Sequence, residues 1–455
     1  MSVSVQDGMR RPPGPKLGPP DYLRLLRGTP VTDLIVEKGF GSADLVHLTL
    51  QGEHCYFVLA PDLVCELFLR LARSTGKGRS TERSRPLLGD GLLTSSGDLH
   101  RRQRRLIQPA FHAAQIRGYA RVMAEEAVRL PATGDWADGA TRDVAADMAA
   151  VTLRIVGRTL FTTDLSADAS TVTDAATKLI HLHLRSLSMR RQLLGRLPLP
   201  GRRAWDTAAA DLDRVVQRMV TESRESGAGG DSVLAMLLAA RDSDGAPMPD
   251  RQVRDEVMTL LLAGHETTAN ALTWTWLLLD QHPEAAARLH AEVDALPGPP
   301  TVDDLAALPW TNAVLAESMR VYPPAWASGR RILADVTLGE WTLPAGSLAS
   351  AVQWITHRDP RWWPDPQQFR PARWLTPEGT YDESAPGQPR GAYFPFGMGN
   401  RVCIGASFAR TEAAMVLASL AREWAPTLVA GHEVTPLPAT ILRPRGGLPM
   451  VLHRR

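Results

Sequence analysis

Phe396-Gly397-Met398-Gly399-Asn400-Arg401-Val402-Cys403-Ile404-Gly405 sets one cysteine inside a glycine-rich loop that also carries an arginine. Glycine allows tight turns and a close approach of the backbone to a flat ligand. Backbone N–H groups and a neighbouring cation stabilise a thiolate, and the planar guanidinium of Arg401 matches a carboxylate. These residue types together suit the presentation of a single thiolate to a haem iron, with Arg401 paired to a propionate. Other uses of the pattern fit less well. A dinucleotide fingerprint needs a third glycine where Val402 stands, and a strand–helix unit followed by an acid. A zinc site needs several ligands at short spacing, and the other cysteines, Cys55 and Cys65, are remote in sequence. The bland alternative is a lone cysteine acting as a small buried hydrophobe.

The whole chain sets wider bounds. Its 455 residues exceed one ordinary core, so length alone predicts two or three domains. A formal net charge of only +2 gives no global attraction to nucleic acid. Three cysteines make no disulfide framework and fit a reducing compartment. Residues 1–22 are polar and proline-rich, with no apolar run of signal or membrane length, and read as a flexible N-terminus. A cytoplasmic protein without a membrane anchor is expected.

Leu45–Leu50 and Tyr56–Leu59, split by Gly52, read as a β-hairpin, with a helix from Pro61. Gly76–Gly97, rich in Gly, Ser, Arg and Pro, reads as a mobile loop. From Asp98 to about Ala285 the chain reads as helix, with breaks near Thr133-Gly134, Pro198–Gly201 and Ser226–Gly230. A second sheet-like patch spans Ile332–Val352, and proline-dense coil follows from Asp359 to Phe396.

The pattern F-x-x-G-x-R-x-C-x-G resembles the haem-binding signature of the cytochrome P-450 family. Pro12-Pro13-Gly14-Pro15-Lys16 likewise looks like the hinge that follows the anchor in membrane-bound members. The resemblance covers nearly the whole chain. It implies a single mainly-α domain over residues 23–455, with a helical body at 98–325, a small β-rich lobe at 40–60 and 330–352, and the thiolate loop at 396–405. It also implies haem b, iron protoporphyrin IX, as cofactor, with Cys403 as the iron ligand and Phe396, Gly399 and Gly405 shaping its loop.

Ala263-Gly264-His265-Glu266-Thr267-Thr268 interrupts an apolar helical run with residues that suit a buried helix poorly. It resembles the family's oxygen-activation motif. On that resemblance Glu266 relays protons and Thr267 supplies the hydrogen bond that steers them, while His265 occupies a variable position. Glu317 and Arg320, three apart, share a helix face. Alone they are an ordinary ion pair. With Pro366-x-x-Phe369-x-Pro371-x-Arg373 they resemble the family's buried Glu-Arg-Arg triad, completed by Arg373. His100 and Arg104, four apart, resemble the pair that holds haem propionates, joined by Arg330 and Arg401. The remaining arginines, Arg101, Arg102 and Arg105, make a basic patch that reads either as a solvated face or as a docking site for an acidic redox protein.

By analogy, the substrate-contacting segments are Gly76–Gly97, Leu179–Leu199, Leu260–Thr268, Pro324–Ser328 and Ala439–Leu442. Their side chains Leu92, Leu93, Leu261, Ala263, Ala325, Trp326 and Ile441 are mostly apolar, as pocket walls usually are. The expected reaction inserts one oxygen atom from O2 into a lipophilic small molecule, with electrons from ferredoxin and ferredoxin reductase. The His100–Phe111 segment resembles members that act on terpenes and fatty acids, which favours a secondary metabolite such as a terpenoid. A peroxide-driven peroxygenase, a fatty-acid hydroxylase and a non-catalytic haem-thiolate protein are the alternatives. Glu266-Thr267 argues against the first, and retention of both motifs argues against the last.

Overall fold

Asp250–Gln281 is one uninterrupted helix of 32 residues, about 48 Å long at 1.5 Å per residue. Its C-terminal half is buried on nearly every face: Ala271, Leu272, Thr273 and Trp274, four consecutive residues pointing in four directions, are all enclosed. The rest of the protein is arranged around it. The computed structural model describes residues 11–50, 52–133, 135–187, 201–226, 232–241 and 245–455.

In chain order the first helices are α1 Pro19–Leu26, α2 Val31–Glu37, α3 Pro61–Cys65, α4 Arg79–Leu88, α5 Gly97–Ile107 and α6 Ala113–Thr133. Then come α7 Val144–Leu160, α8 Ala169–Leu187, α9 Arg202–Glu225, α10 Val233–Ala239, α11 Asp250–Gln281 and α12 Pro283–Asp294. The series ends with α13 Pro309–Val321, α14 Gln353–Thr356 and α15 Ala406–Ala421. Helix α7 lies close against α11, and glycine makes the approach possible: a Cβ on Gly264 would sit 3.1 Å from Val156. Among the described residues no helix is long and apolar enough to cross a membrane.

The main sheet has β1 Leu45–Leu50, β2 Glu53–Val58, β3 Thr75–Lys77, β5 Ser328–Ile332 and β8 Leu348–Ala351, in the order β1-β2-β8-β5-β3. Only the β2–β8 pairing is parallel. Both faces of the β1–β2 hairpin are covered, which explains its largely apolar sequence. Leu45, Tyr56 and Val58 pack with Val64 and Phe68, while Val46, Leu48 and Phe57 pack with Ile35 and Ile355. Gly52, at φ +78°, makes the turn. The smaller sheets are β6 Val336–Leu338 with β7 Trp341–Leu343, β10 Pro436–Pro438 with β11 Leu442–Pro444, and β4 Thr141–Asp143, β12 Pro449–Val451 and β9 Thr427–Leu428 together.

Two expectations change. Gly76–Gly97 is not a loop throughout, because it contains β3 and α4. Leu87 and Leu88 are buried, and Arg331 on β5 forms two hydrogen bonds with Glu82, at 2.8 and 2.9 Å. The proline-rich N-terminus is also in place where it is described: Pro13 O accepts from His47 N at 2.9 Å, and α1 begins at Pro19. The break at Thr133 falls at the end of α6. Those expected at Pro198–Pro200 and Gly227–Gly230 lie outside the described residues.

Candidate active site

The loop before α15 is shaped by backbone geometry. Gly397 and Gly399 have φ near +70°, a region costly for other residues, and a Cβ on Gly399 would meet Phe68 O at 2.6 Å. Cys403 N donates to Phe396 O at 2.9 Å, closing the turn. The Phe396 ring lies under the Arg410 guanidinium, 4.6 Å away. Gly405 caps α15, and its N–H favours a thiolate on Cys403, as do Arg104 and Arg410. Burial outweighs all three and leaves the thiol above its ordinary value. Even so, Cys403 keeps exposed surface. A residue enclosed by protein and yet exposed faces an internal space.

The same is true of α11. Ala263 is exposed in the middle of a buried helix, and Glu266 and Thr267 are partly so. These positions are three and four residues apart and form one face. Thr267 Oγ1 donates to Ala263 O at 2.8 Å, the helical assignment being unbroken through the motif. Burial pushes the Glu266 carboxyl up to about 7, opposed by the positive charge of Arg443 on β11. His265 is fully buried, donates Nδ1–H to Leu261 O at 2.7 Å, and is held neutral by burial. It serves the fold.

Cations gather at the rim. Phe68, Lys77, Arg330, Asn400 and Arg401 line one small enclosed pocket. Lys77 pairs directly across the sheet from Arg330, a repulsive register. Burial, with Arg401 and Arg330 nearby, pushes Lys77 down to about 7. Arg330 falls to about 10 by burial and Arg401. His100 falls to about 3 by burial, with Arg401, Lys77 and Arg104 contributing. Among the described residues no carboxylate acts on any of the three. A cluster of groups whose charged forms are disfavoured by burial and by one another, without an acid, fits a ligand that brings its own anions, as the two haem propionates would.

Behind the loop lies a buried ionic cluster. Glu317 accepts from Arg320 Nε and Nη2, Arg373 Nε, the Arg370 N–H and Trp374 Nε1, each at 2.9 Å. Glu317 and Arg320 are fully buried, and the Arg373 side chain is 7% exposed. Arg320 Nη1 then donates to His357 O at 2.8 Å, and His357 Nε2 accepts from Phe394 N at 3.1 Å. Phe394 O accepts from Gly397 N at 2.9 Å. A hydrogen-bonded relay therefore runs from the ion cluster to the cysteine loop.

The structure sets His100, Arg104, Arg330 and Arg401 around the cysteine loop and joins Glu317, Arg320 and Arg373 in one cluster. Arg104 spends Nη1 on Val402 O, at 2.8 Å, so it grips the cysteine loop as well as facing the rim. Arg401 donates to Ser95 O at 3.0 Å. Leu261 is fully buried; two residues from Ala263 is about 200° around a helix, so it faces the opposite way. Leu92 is buried in the main core while Leu93 is 45% exposed, so Leu93 has the free surface of the pair. Ala325, Trp326 and Ile441 are partly exposed, and Trp326 Nε1 donates to Ala439 O at 2.7 Å. Part of Leu179–Leu199 lies outside the described residues. Sequence reading missed Lys77, Arg410 and Arg443, whose meaning depends on strand register or distant loops. It also missed Glu412 on α15, a fully buried acid beside Thr268 that burial keeps neutral.

Comparison with known proteins gives a consistent result. The profile of the family described as Cytochrome P450 matches residues 38–448. The cyclooctatin synthase of Streptomyces melanosporofaciens is 39% identical over 88% of this chain and 85% of its own. The cyclooctat-9-en-7-ol 5-monooxygenase of the same organism is 38% identical over 90% and 88%. The pentalenene oxygenase of Streptomyces avermitilis is 35% identical over 88% of each chain. The crystal structure of the cytochrome P450DA heme domain superposes with a TM-score of 0.81 at 26% identity, covering 98% of both chains. The chain belongs to the cytochrome P450 family, with haem b as cofactor and monooxygenation as its activity.

Proposed function

We propose that this P450 oxygenates a terpenoid secondary metabolite, with Cys403 as the thiolate ligand of the haem and Glu266 and Thr267 as the proton-delivering pair. The observation that carries the site assignment is the exposed surface that Cys403 and the Ala263–Glu266–Thr267 face keep inside the fold. Haem, when bound, supplies the activation of O2 and the transfer of one oxygen atom. His100, Arg330, Arg401 and Lys77 would hold its carboxylates, and Arg104 also holds the loop that carries Cys403.

The protein's own groups manage protons and water. Glu266, at about 7, exchanges a proton readily at neutral pH, the condition that suits a general acid–base residue. Thr267 has a hydroxyl that can leave Ala263 O to donate toward the internal face. An apolar wall around that space would keep bulk water from competing.

The substrate assignment rests on the relatives, whose names specify cyclooctat-9-en-7-ol and pentalenene. The proposed electron donors are a ferredoxin and its reductase. Exposed Arg101, Arg102 and Arg105 lie on α5, the helix whose Arg104 grips the Cys403 loop, and would steer an acidic partner there. Turnover of a terpene panel with ferredoxin, reductase and NAD(P)H, set against hydrogen peroxide alone, tests the whole reading. Product from peroxide but not from the reductase system would replace it with a peroxygenase.

A further inference from the structure

Between α4 and α5 the chain from Gly89 to Ser95 forms a short strap across the N-terminal half of α11. Two adjacent carboxylates of that helix hold it: Asp255 Oδ2 accepts from Asp90 N and Glu256 Oε2 accepts from Leu92 N, each at 2.9 Å. Asp90 O accepts from Gln103 Nε2 at 2.7 Å and from Gln252 Nε2 at 3.2 Å. Gln252 also donates to Glu256 Oε1 at 3.0 Å, and Arg254 Nη1 donates to Leu87 O at 2.7 Å. At its far end the strap's Ser95 O accepts from Arg401 of the cysteine loop. The segment therefore bridges α11 and the cysteine loop, fastened at both ends.

The fit is close. A Cβ on Gly89 would lie 2.0 Å from the Asp255 carboxylate, and one on Gly91 would lie 2.2 Å from Thr259 Oγ1. Asp255 is 2% exposed and Glu256 fully buried. Burying two neighbouring carboxylates is expensive, offset at Asp255 by Arg254 Nη1 at 2.9 Å, and a helix of this length needs neither for its own stability. Glu256 lies about 15 Å along the helix from Glu266, outside the proton pair, and Asp255 is one residue further away. What they fix is a backbone path, and the one large apolar side chain with free surface on that path is Leu93.

We propose that Asp255 and Glu256 are specificity-determining positioning residues, which set how far Leu93 projects into the substrate space by clamping the Gly89–Ser95 strap to α11. This rests on the proposed P450 site with Leu93 in its substrate wall. Loss of the Glu256 acceptor frees the Leu92 N–H and lets the wall retreat.

Imidazole and 4-phenylimidazole, a small and a large iron-binding probe, measure that wall without a known substrate. Their affinities are read from haem absorbance in wild type, Leu93→Ala, Glu256→Leu, Glu256→Gln and Glu256→Leu/Leu93→Ala. The expected result is an affinity ratio shifted about tenfold by Leu93→Ala and by Glu256→Leu, the scale of a change in apolar pocket contact. The double variant should add little to either. Glu256→Gln, which keeps an acceptor for Leu92 N, should stay near wild type. If Leu93→Ala shifts the ratio while Glu256→Leu, loaded with haem, does not, the clamp is overturned alone. If Leu93→Ala has no effect, the substrate-wall reading on which it rests has failed, and the proposal with it. If Glu256→Leu yields no holoprotein, Asp255→Leu, which removes the acceptor for Asp90 N, and Gly91→Ala take its place under the same criterion.

Discussion

Replacing Glu317 removes the single anion that two arginines share. Of the three triad substitutions it should be the most damaging. Arg373→Ala leaves the Glu317–Arg320 pair intact, and Arg320→Ala leaves Glu317 with Arg373, although it also strands the carbonyls of His357, Pro366 and Gln368. Glu317→Ala leaves Arg320, fully buried, facing Arg373 with no acid between them. Stranding a buried charge in this way costs about 3–5 kcal/mol. The Arg370 N–H and the Trp374 indole also lose their acceptor, at about 1–3 kcal/mol for each group left unsatisfied. The sum rivals the whole stability of an ordinary domain, about 5–15 kcal/mol. Global melting is a blunt measure, because a chain this long unfolds with an entropy of roughly 1 kcal/mol/K, so 4 kcal/mol moves a cooperative midpoint by only about 4 °C. The sharper readout is local. Arg320 supports His357, and His357 supports Phe394 and the cysteine loop. Glu317→Ala, Arg320→Ala and Arg373→Ala should therefore give little folded protein, and what is recovered should carry less haem and a carbon monoxide difference spectrum shifted away from thiolate ligation. Glu317→Ala with full haem, a wild-type spectrum and an unchanged midpoint would refute the argument.

Cys403→Ser should abolish the red-shifted Soret band of the reduced, carbon monoxide-bound protein, and a histidine-type band in active wild type would exclude Cys403 as ligand. Thr267→Ala should retain haem but divert NAD(P)H consumption into hydrogen peroxide, while Glu266→Gln should slow turnover; the check is product formed per NAD(P)H oxidised. Lys77, pushed down to about 7 by burial and neighbouring cations, should rise when propionates bind and take up about one proton at pH 8, against the one that Cys403 gives up on becoming a thiolate. Haem uptake by apoprotein in a weak buffer should therefore release about one proton more in Lys77→Met than in wild type. Glu256, fully buried and raised to about 7 by that burial, contributes stability below pH 4.5 that is lost as pH rises through 7, about 3 kcal/mol in all. Denaturant titrations between pH 5 and 8 should show that loss reduced in Glu256→Gln.

What could be read from sequence was what is local. The cysteine loop, the Ala263–Thr268 motif and the Glu317–Arg320 spacing each lie within one turn or one loop, where residue type and spacing carry the geometry. Lys77 is the opposite case. It stands in a Thr-Gly-Lys stretch that composition assigns to a loop, and only the β3–β5 register sets it opposite Arg330. Helix α4 escaped for a similar reason: its Arg/Ser-rich sequence, with Pro86 inside, has weak helical preference. Burial of Leu87 and Leu88 and the Arg331–Glu82 pair accompany the helix from outside it. Leu261 was legible and misread, since counting about 100° per residue from Ala263 already turns it away.

The shifted groups around the site describe the ligand they await. Cys403, at the centre, is pushed toward the neutral thiol by burial that three favourable partners do not offset. Lys77 and His100, at the rim, are pushed toward their neutral forms by burial among other cations. A thiol held above its ordinary value is restored to thiolate by a metal cation. Cations held below theirs are restored by anions. The complement of this arrangement is a flat molecule with a positive centre and negative groups at one edge, which is the charge pattern of an iron porphyrin dicarboxylate. With the haem site as proposed, haem would remove like-charge repulsion at the rim and supply the charge at the centre, so cofactor affinity and fold stability would be linked through these few side chains.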